Sequence, residues 1–233
     1  MARSGRAAVR QLRRRVSSAV VIAPSPPPVP RVDRVLALGD STVDLATRAL
    51  VAGVVPAPRF GRENEVVATA DAVAAGGADL VDVSLPPGLA GPGARAGRLP
   101  VVARIESADQ ALAAARAGAV LVLVPADRPG VLAALAGHPD VGAALGVLAG
   151  DPGELVVARA LADEHAAVLA LDATPWSGAE AMAREAVAIA EGCRLLRTRD
   201  VRRSRRVAEV MAAILAARRR VAEPGGHDGG EQQ

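Results

Sequence analysis

The sequence predicts an α/β fold in which parallel strands alternate with crossover helices, and two observations support it. From residue 31 onward, short runs rich in Val and Leu alternate with Ala-rich stretches of helical character. At residues 74–79, 116–119 and 191–193 a glycine ends a helical stretch just before an apolar run. Such junctions fit a (β/α)8 barrel or an open doubly wound sheet. We favour the barrel. No Gly-rich fingerprint of a dinucleotide-binding site follows any of the predicted strands.

The strands are predicted where Val, Leu and Ala form short runs bounded by turn residues. In chain order, these runs predict strands near residues 33–38, 50–55, 79–84, 100–105, 119–124, 143–148, 167–172 and 194–198.

The helices are predicted in the Ala-rich stretches between these runs. In chain order they cover residues 64–76, 107–117, 129–137, 153–165, 178–191 and 202–219. The last helix is the clearest, because an apolar stripe at helical spacing runs through Val207, Val210, Met211, Ile214 and Leu215.

The amino-acid composition excludes several kinds of chemistry. The 233 residues are 51% hydrophobic and 23% charged, which is enough to bury a sizeable core. All 28 basic residues are Arg, so Schiff-base and other lysine chemistry is excluded. The single Cys193 excludes a disulfide framework or Cys-rich metal site, and His138, His165 and His227 lack metal-ligand spacing. Phe60 and Trp176 are the only aromatic residues of the types Phe, Trp and Tyr. So few aromatic rings argue against a protein that binds nucleic acid by stacking its bases.

The two ends of the chain differ from its body. Residues 1–30 contain six Arg, no acidic residue and a Pro-rich stretch, which predicts a disordered arm. The barrel is expected to occupy residues 31–220, followed by a disordered tail at 221–233. The basic arm could touch nucleic acid or an acidic membrane, but a solvated tail is the preferred interpretation, so neither partner is expected.

A location in the cytoplasm is expected from the same features. Arg13-Arg14-Arg15 precede a short apolar run at 16–23, but that run is short for an export signal and has no convincing cleavage site. No uncharged apolar stretch reaches the ~18 residues that cross a bilayer.

Four segments resemble dihydropteroate synthases, the pterin-binding barrels of folate biosynthesis. Residues 77–83 (Gly-Ala-Asp-Leu-Val-Asp-Val) are similar to the family's Gly-Ala-Asp-Ile-Ile-Asp-Val strand, and 99–107 to its Val-Pro-Val-Ser-Ile-Asp-Thr strand. Residues 116–119 match the junction after the next helix, and 192–201 resemble the terminal Arg-Val-His-Asp-Val element. The matches occur in the same order and with similar spacing as in the family, and together they extend over roughly residues 49–124 and 166–219.

The resemblance implies a shortened TIM-type barrel with its functional groups at the carboxyl ends of the strands. Residues 31–47 would form the family's N-terminal hairpin, and one βα unit would be missing between residues 125 and 166. The family condenses a dihydropterin pyrophosphate with p-aminobenzoate and releases pyrophosphate with the help of Mg²⁺.

Several family residues are replaced in this chain, so the resemblance implies a degenerate site. Residues 55–60 have neither Asn nor Asp where the family has its metal-linked Asn. The family's Asn-Asp pair becomes Leu123-Val124, and Thr174 stands where the family has its pterin-binding Lys. Mg²⁺ is therefore expected only if synthase activity is retained.

The candidate ligand-binding residues are two acids and three arginines. Glu106 matches the family's pterin-contacting Asp with one more methylene, and Asp172 follows another apolar strand, so both are expected to accept ligand hydrogen bonds. Arg197 matches the terminal element and Arg199 stands where the family has His; with Arg59 they are expected to hold an anion.

Two of these assignments have structural alternatives. Asp172 could instead cap the helix that begins near Ser177. Arg197 and Arg199, with Arg202 and Arg203 in the first turn of the last helix, could form an anion site or merely a solvated basic face.

Three functions follow. The first is a barrel related to dihydropteroate synthase, with lost or altered catalysis, that binds a phosphorylated heterocycle or other small anion. The second is a non-catalytic partner or regulator of a true synthase, its pocket partly filled by Leu123, Val124 and Leu171. The third is residual synthase activity. A homodimer or a partner synthase is a possible assembly.

Overall fold

In the described part of the chain, seven parallel strands form a closed barrel, and six helices lie between or after them. The structure is a computed structural model that describes residues 35–38, 41–45, 47–55, 63–83, 99–136 and 144–222. Arg59, the predicted arm at 1–30 and the tail beyond residue 222 lie outside the described residues. The last helix continues to Ala222, two residues into the range predicted as tail.

The strands lie close to their predicted positions. The first two form an antiparallel hairpin, β1 (Val35–Leu38) and β2 (Ser41–Asp44). The barrel strands are β3 (Leu50–Val55), β4 (Leu80–Val83), β5 (Val101–Arg104), β6 (Leu121–Pro125), β7 (Ala144–Ala149), β8 (Val168–Asp172) and β9 (Leu195–Thr198).

The helices also agree with the prediction to within a few residues at each end. They are α1 (Glu63–Ala75), α2 (Ala108–Arg116), α3 (Pro129–Ala136), α4 (Leu155–Glu164), α5 (Gly178–Ala190) and α6 (Val201–Ala222). None of the helices in the described ranges combines the length and the apolar character that crossing a membrane requires.

The barrel closes where β9 pairs in parallel with β3, with Leu195 opposite Leu50. Because the run predicted at 33–38 belongs to the hairpin, as the family resemblance implied, the closed ring has seven strands. A complete barrel of this type has eight. The fold is therefore a TIM-type barrel shortened by one strand, and β7 pairs directly with β8.

Side chains alternate between the barrel interior and the surrounding helices. The interior cluster, which Leu36 and Leu45 of the hairpin region join, contains Leu50, Ala52, Leu80, Val102, Leu121, Leu123, Leu148, Ala170 and Leu195. Val124 and Leu171 belong instead to the cluster that packs on the helices. Leu123 lies in the interior, as expected. The expectation that Val124 and Leu171 also fill the pocket was wrong, because their side chains point outward from their strands, toward the helices.

Candidate functional site

Four barrel strands carry a charged side chain on the interior face near their carboxyl ends. A residue two positions after an interior residue faces the interior as well, because side chains alternate along a strand. The interior residues Leu80, Val102, Ala170 and Leu195 are each followed at that spacing by a charged residue. These four residues, which we call the charged layer, are Asp82, Arg104, Asp172 and Arg197.

Arg197 is the centre of the charged layer. Its Nε donates a hydrogen bond to Asp82 Oδ2, and its Nη1 donates to both carboxylate oxygens of Asp172 at 3.1 Å. A longer bond of 3.4 Å runs from Nη1 to Thr174 Oγ1. The Arg197 side chain is only 9% exposed. Arg197 thus joins its own strand β9 to β8 and, across the intervening β3, to β4.

Asp82 is fully buried and only partly satisfied. One carboxylate oxygen accepts from Arg197, but the other, Oδ1, has no hydrogen-bond partner among the described residues. Burial raises the pKa of Asp82, and the nearby guanidinium groups of Arg197 and Arg104 oppose that rise. A buried acceptor without a donor is unusual in a folded protein, so this oxygen marks a point where a ligand donor could bind.

Asp172 faces the same interior and does not cap a helix. Its Oδ1 accepts hydrogen bonds from the Thr174 hydroxyl at 2.6 Å and from the Thr174 backbone N–H at 3.1 Å. The N-cap residue of α5 is Ser177, whose side chain makes no capping hydrogen bond. The capping alternative for Asp172 is therefore wrong, and its carboxylate belongs to the charged layer.

Arg104 and Glu106 lie where β5 ends. Glu106 is two residues beyond the strand and exposed, and its Oε1 is 3.6 Å from Nη2 of Arg104. The Glu106 backbone N–H donates to Oε1 of Gln110 at 2.7 Å, which fixes the turn into α2. Sequence reasoning missed Arg104. The sequence did contain a signal for it: Arg104 lies two residues after Val102, so both side chains point to the same face of the strand.

The arginines that follow β9 lie in different surroundings. Arg199 is exposed and makes no hydrogen bond or ion pair with any residue in the described ranges. The carboxylate of Asp200 accepts from the backbone N–H of Arg203 at 3.2 Å, so an acidic side chain already occupies the amino end of α6.

Arg203 belongs to neither a solvated face nor an anion site. Its side chain is 12% exposed, and its Nη2 lies 3.2 Å from Oε1 of Glu185 on α5. Glu185 is buried and also accepts from the Ser204 hydroxyl at 2.6 Å, and the same Ser204 oxygen lies 3.0 Å from Oγ1 of Thr198. Burial raises the pKa of Glu185. This network, which lies outside the barrel, fixes α6 against α5 and the end of β9.

The residues that the structure describes do not form a metal centre. No group of three or more His, Cys, Asp or Glu residues within the described ranges could hold a metal ion. Residues 56–62 contain neither Asn nor Asp, so the Mg²⁺ that the family resemblance implies has no matching ligand there. Cys193 is a packed, inert thiol, because burial raises its pKa to about 12.

Comparison with solved structures places this barrel among dihydropteroate synthase folds. A Yersinia pestis dihydropteroate synthase with a pterine-sulfa conjugate superposes with a TM-score of 0.56 at 14% identity, covering 79% of this chain and 99% of that chain. The Xanthomonas albilineans enzyme in complex with 7,8-dihydropteroate gives 0.54 at 18% identity, covering 75% and 96%.

The Vibrio fischeri 7,8-dihydropteroate synthase gives a TM-score of 0.56 at 11% identity, covering 78% of this chain and 98% of that chain. The chain has no significant match to a protein-family model or to a curated protein. At these identities the comparisons establish the fold alone.

Proposed function

We propose that this chain is a pterin-binding type of barrel, related to folate biosynthesis, that has lost or altered the synthase reaction and binds a phosphorylated heterocycle or other small anion. The observation that carries the proposal is the charged layer. Asp82, Arg104, Asp172 and Arg197 converge on the interior at the carboxyl ends of the strands. Enzymes of this barrel type bind their substrates at that end.

Part of the charged layer stabilises the barrel, and part is left available to a ligand. Arg197 is bonded to both Asp82 and Asp172, so most of its donors are already used. Among the described residues, the buried Oδ1 of Asp82 has no donor, and Arg104 has only a long ion pair to Glu106. The unpaired oxygen and the exposed guanidinium support a ligand that carries both a hydrogen-bond donor and an acceptor or anion.

The loss of synthase chemistry is argued from the groups that are missing. Thr174, which stands where the family has its pterin-binding Lys, is bonded to Asp172 and cannot supply a cation. Leu123, in place of the family's Asn, is a buried member of the apolar interior. A site built to pair with polar ligand atoms can discriminate on the order of 10⁴-fold through such contacts, so losing two of them weakens pterin recognition strongly.

Calorimetric titration tests the proposal. The full-length protein is titrated separately with a dihydropterin pyrophosphate, pyrophosphate, dihydropterin and p-aminobenzoate, and product formation is assayed with both substrates present. Binding of a pterin or an anion without turnover supports the proposal. Turnover would establish residual synthase activity, and the absence of binding by any of these compounds would favour the role of a non-catalytic partner.

A further inference from the structure

We infer that Arg104 is the residue that binds the anionic group of the ligand, a phosphate or pyrophosphate. This inference rests on the proposed function and assigns to Arg104 the part that the sequence suggested for Arg59, Arg197 and Arg199. It follows from three observations: the position of Arg104, its open donors, and the charge of the groups around it.

Arg104 is placed at the entrance to the barrel interior. It is the last residue of β5 and pairs in register with Leu123, which belongs to the interior cluster. Its side chain is 44% exposed, whereas that of Arg197 is 9% exposed. Arg104 therefore combines an inward position with access from solvent.

No acceptor in the described part of the chain is hydrogen-bonded to the guanidinium of Arg104. Its only contact to an acid in the described ranges is Glu106 Oε1 at 3.6 Å, which is too long for a hydrogen bond. Both side chains are about half exposed, so water screens this pair and an incoming anion can displace Glu106. An arginine fork with open donors matches the oxygens of a phosphate group.

Arg197 cannot serve as the anion-binding group in the same way. It lies between Asp82 and Asp172, so these three side chains together carry a net negative charge when all are ionised. An anion that approached Arg197 would meet two carboxylates. Arg104 is near enough to Asp82 to oppose the rise in the pKa of that carboxyl, and with Arg104 included the four side chains of the charged layer are neutral together when all are ionised.

Titration of pyrophosphate and of uncharged dihydropterin into the full-length protein and two variants tests the inference. Arg104→Gln removes the charge, and Arg116→Gln is the control, because Arg116 is exposed at the end of α2 that lies at the opposite end of the barrel. We expect Arg104→Gln to bind pyrophosphate about ten- to a hundredfold more weakly. Its affinity for dihydropterin should stay within twofold of that of the unmodified protein. Its urea unfolding midpoint should be the same within error.

The outcomes separate this inference from the proposed function. If Arg104→Gln binds pyrophosphate as tightly as the unmodified protein, Arg104 is not the anion-binding residue. If the unmodified protein binds dihydropterin but no pyrophosphate, the inference fails and the proposed function survives. If it binds neither compound nor the dihydropterin pyrophosphate, both fail. Glu106→Gln provides a second variant, because removal of the competing carboxylate should tighten pyrophosphate binding several-fold if Arg104 is the site.

Discussion

Arg197 and Asp82 form a buried ion pair between strands that are not neighbours. The two residues are 115 positions apart in the chain, and β3 lies between their strands β9 and β4. The same guanidinium bonds to Asp172 on β8. One side chain therefore ties three strands together near the point where the first and last barrel strands meet.

Replacement of Arg197 by Ala should destabilise the barrel strongly. The substitution leaves Asp82 and Asp172 without their shared cation, and removing one partner of a buried ion pair costs about 3–5 kcal/mol. Urea unfolding at neutral pH, followed by circular dichroism, measures the loss. Arg116→Ala is the control and should change the free energy of unfolding by less than about 0.5 kcal/mol. Equal stability of the two variants would contradict the role given to Arg197.

The difference in stability between Asp82→Asn and the unmodified protein should depend on pH. Burial raises the pKa of Asp82 in the folded protein above its ordinary value of 3.8. A raised pKa contributes stability that is complete below the unfolded value and is lost as pH rises through the folded value. Asn does not titrate, so Asp82→Asn should become more stable relative to the unmodified protein as pH rises from below 3.8.

The measurement for Asp82 is a pair of urea unfolding series from acid to neutral pH. A difference in unfolding free energy that stays constant, or that changes in the opposite direction, would show that Asp82 does not carry a raised pKa.

Loss of the buried acid between α5 and α6 should cost more than loss of an exposed one. Glu185→Ala removes the buried carboxylate that accepts from Arg203 and from the Ser204 hydroxyl, which is expected to cost about 2–4 kcal/mol. Glu180→Ala, on the same helix, removes only an exposed ion pair to Arg184 and should cost less than about 1 kcal/mol. Thermal unfolding of both variants compares them. Similar melting temperatures would mean that the buried network does not hold the two helices together.

The packing of helices on β3 depends on a glycine. A Cβ at Gly53 would lie 2.3 Å from Val73 Cγ1 and 2.8 Å from Val201 Cγ2, so Gly53→Ala requires α1 or α6 to move. We expect a loss of about 1–3 kcal/mol from this overpacking. Gly130 in α3 has nothing within 4 Å of such an atom, and Gly130→Ala should stabilise the helix by up to about 1 kcal/mol. A loss at both positions would point to backbone effects instead.

Cys193 should be unreactive until the protein unfolds. Its side chain is buried and its thiol pKa is raised to about 12, so almost no thiolate exists at neutral pH. Reaction with a disulfide reagent, followed by absorbance, should be slow in buffer and complete in concentrated urea. Rapid modification of the folded protein would show that this strand junction opens.

The sequence predicted the barrel because its strands and helices have strong local signals. Apolar runs bounded by glycine and proline define the strands closely, and the hairpin at 35–44 matches what the resemblance implied. Closure with seven strands could not be predicted from local pattern, since it depends on the pairing of Leu50 with Leu195, far apart in the chain.

The site was predicted less completely, and the reasons are geometric. Asp172 and Arg197 were recognised because they end apolar runs, and the structure brings them together. The direction of a side chain is harder to predict: Arg203 turns outward to Glu185, and Asp200 occupies the end of α6 where an anion was considered. Arg104 was not predicted because the family resemblance pointed to Glu106, two residues further on, although the alternation of side chains along β5 places Arg104 on the interior face.

A crystal structure with bound pyrophosphate would show whether a ligand site lies inside the mouth of the barrel. We expect pyrophosphate at the carboxyl ends of the strands, with its oxygens within hydrogen-bond distance of Arg104 and with the Arg197 bonds to Asp82 and Asp172 unbroken. Pyrophosphate bound elsewhere on the protein, or no pyrophosphate in the barrel at saturating concentration, would rule this site out.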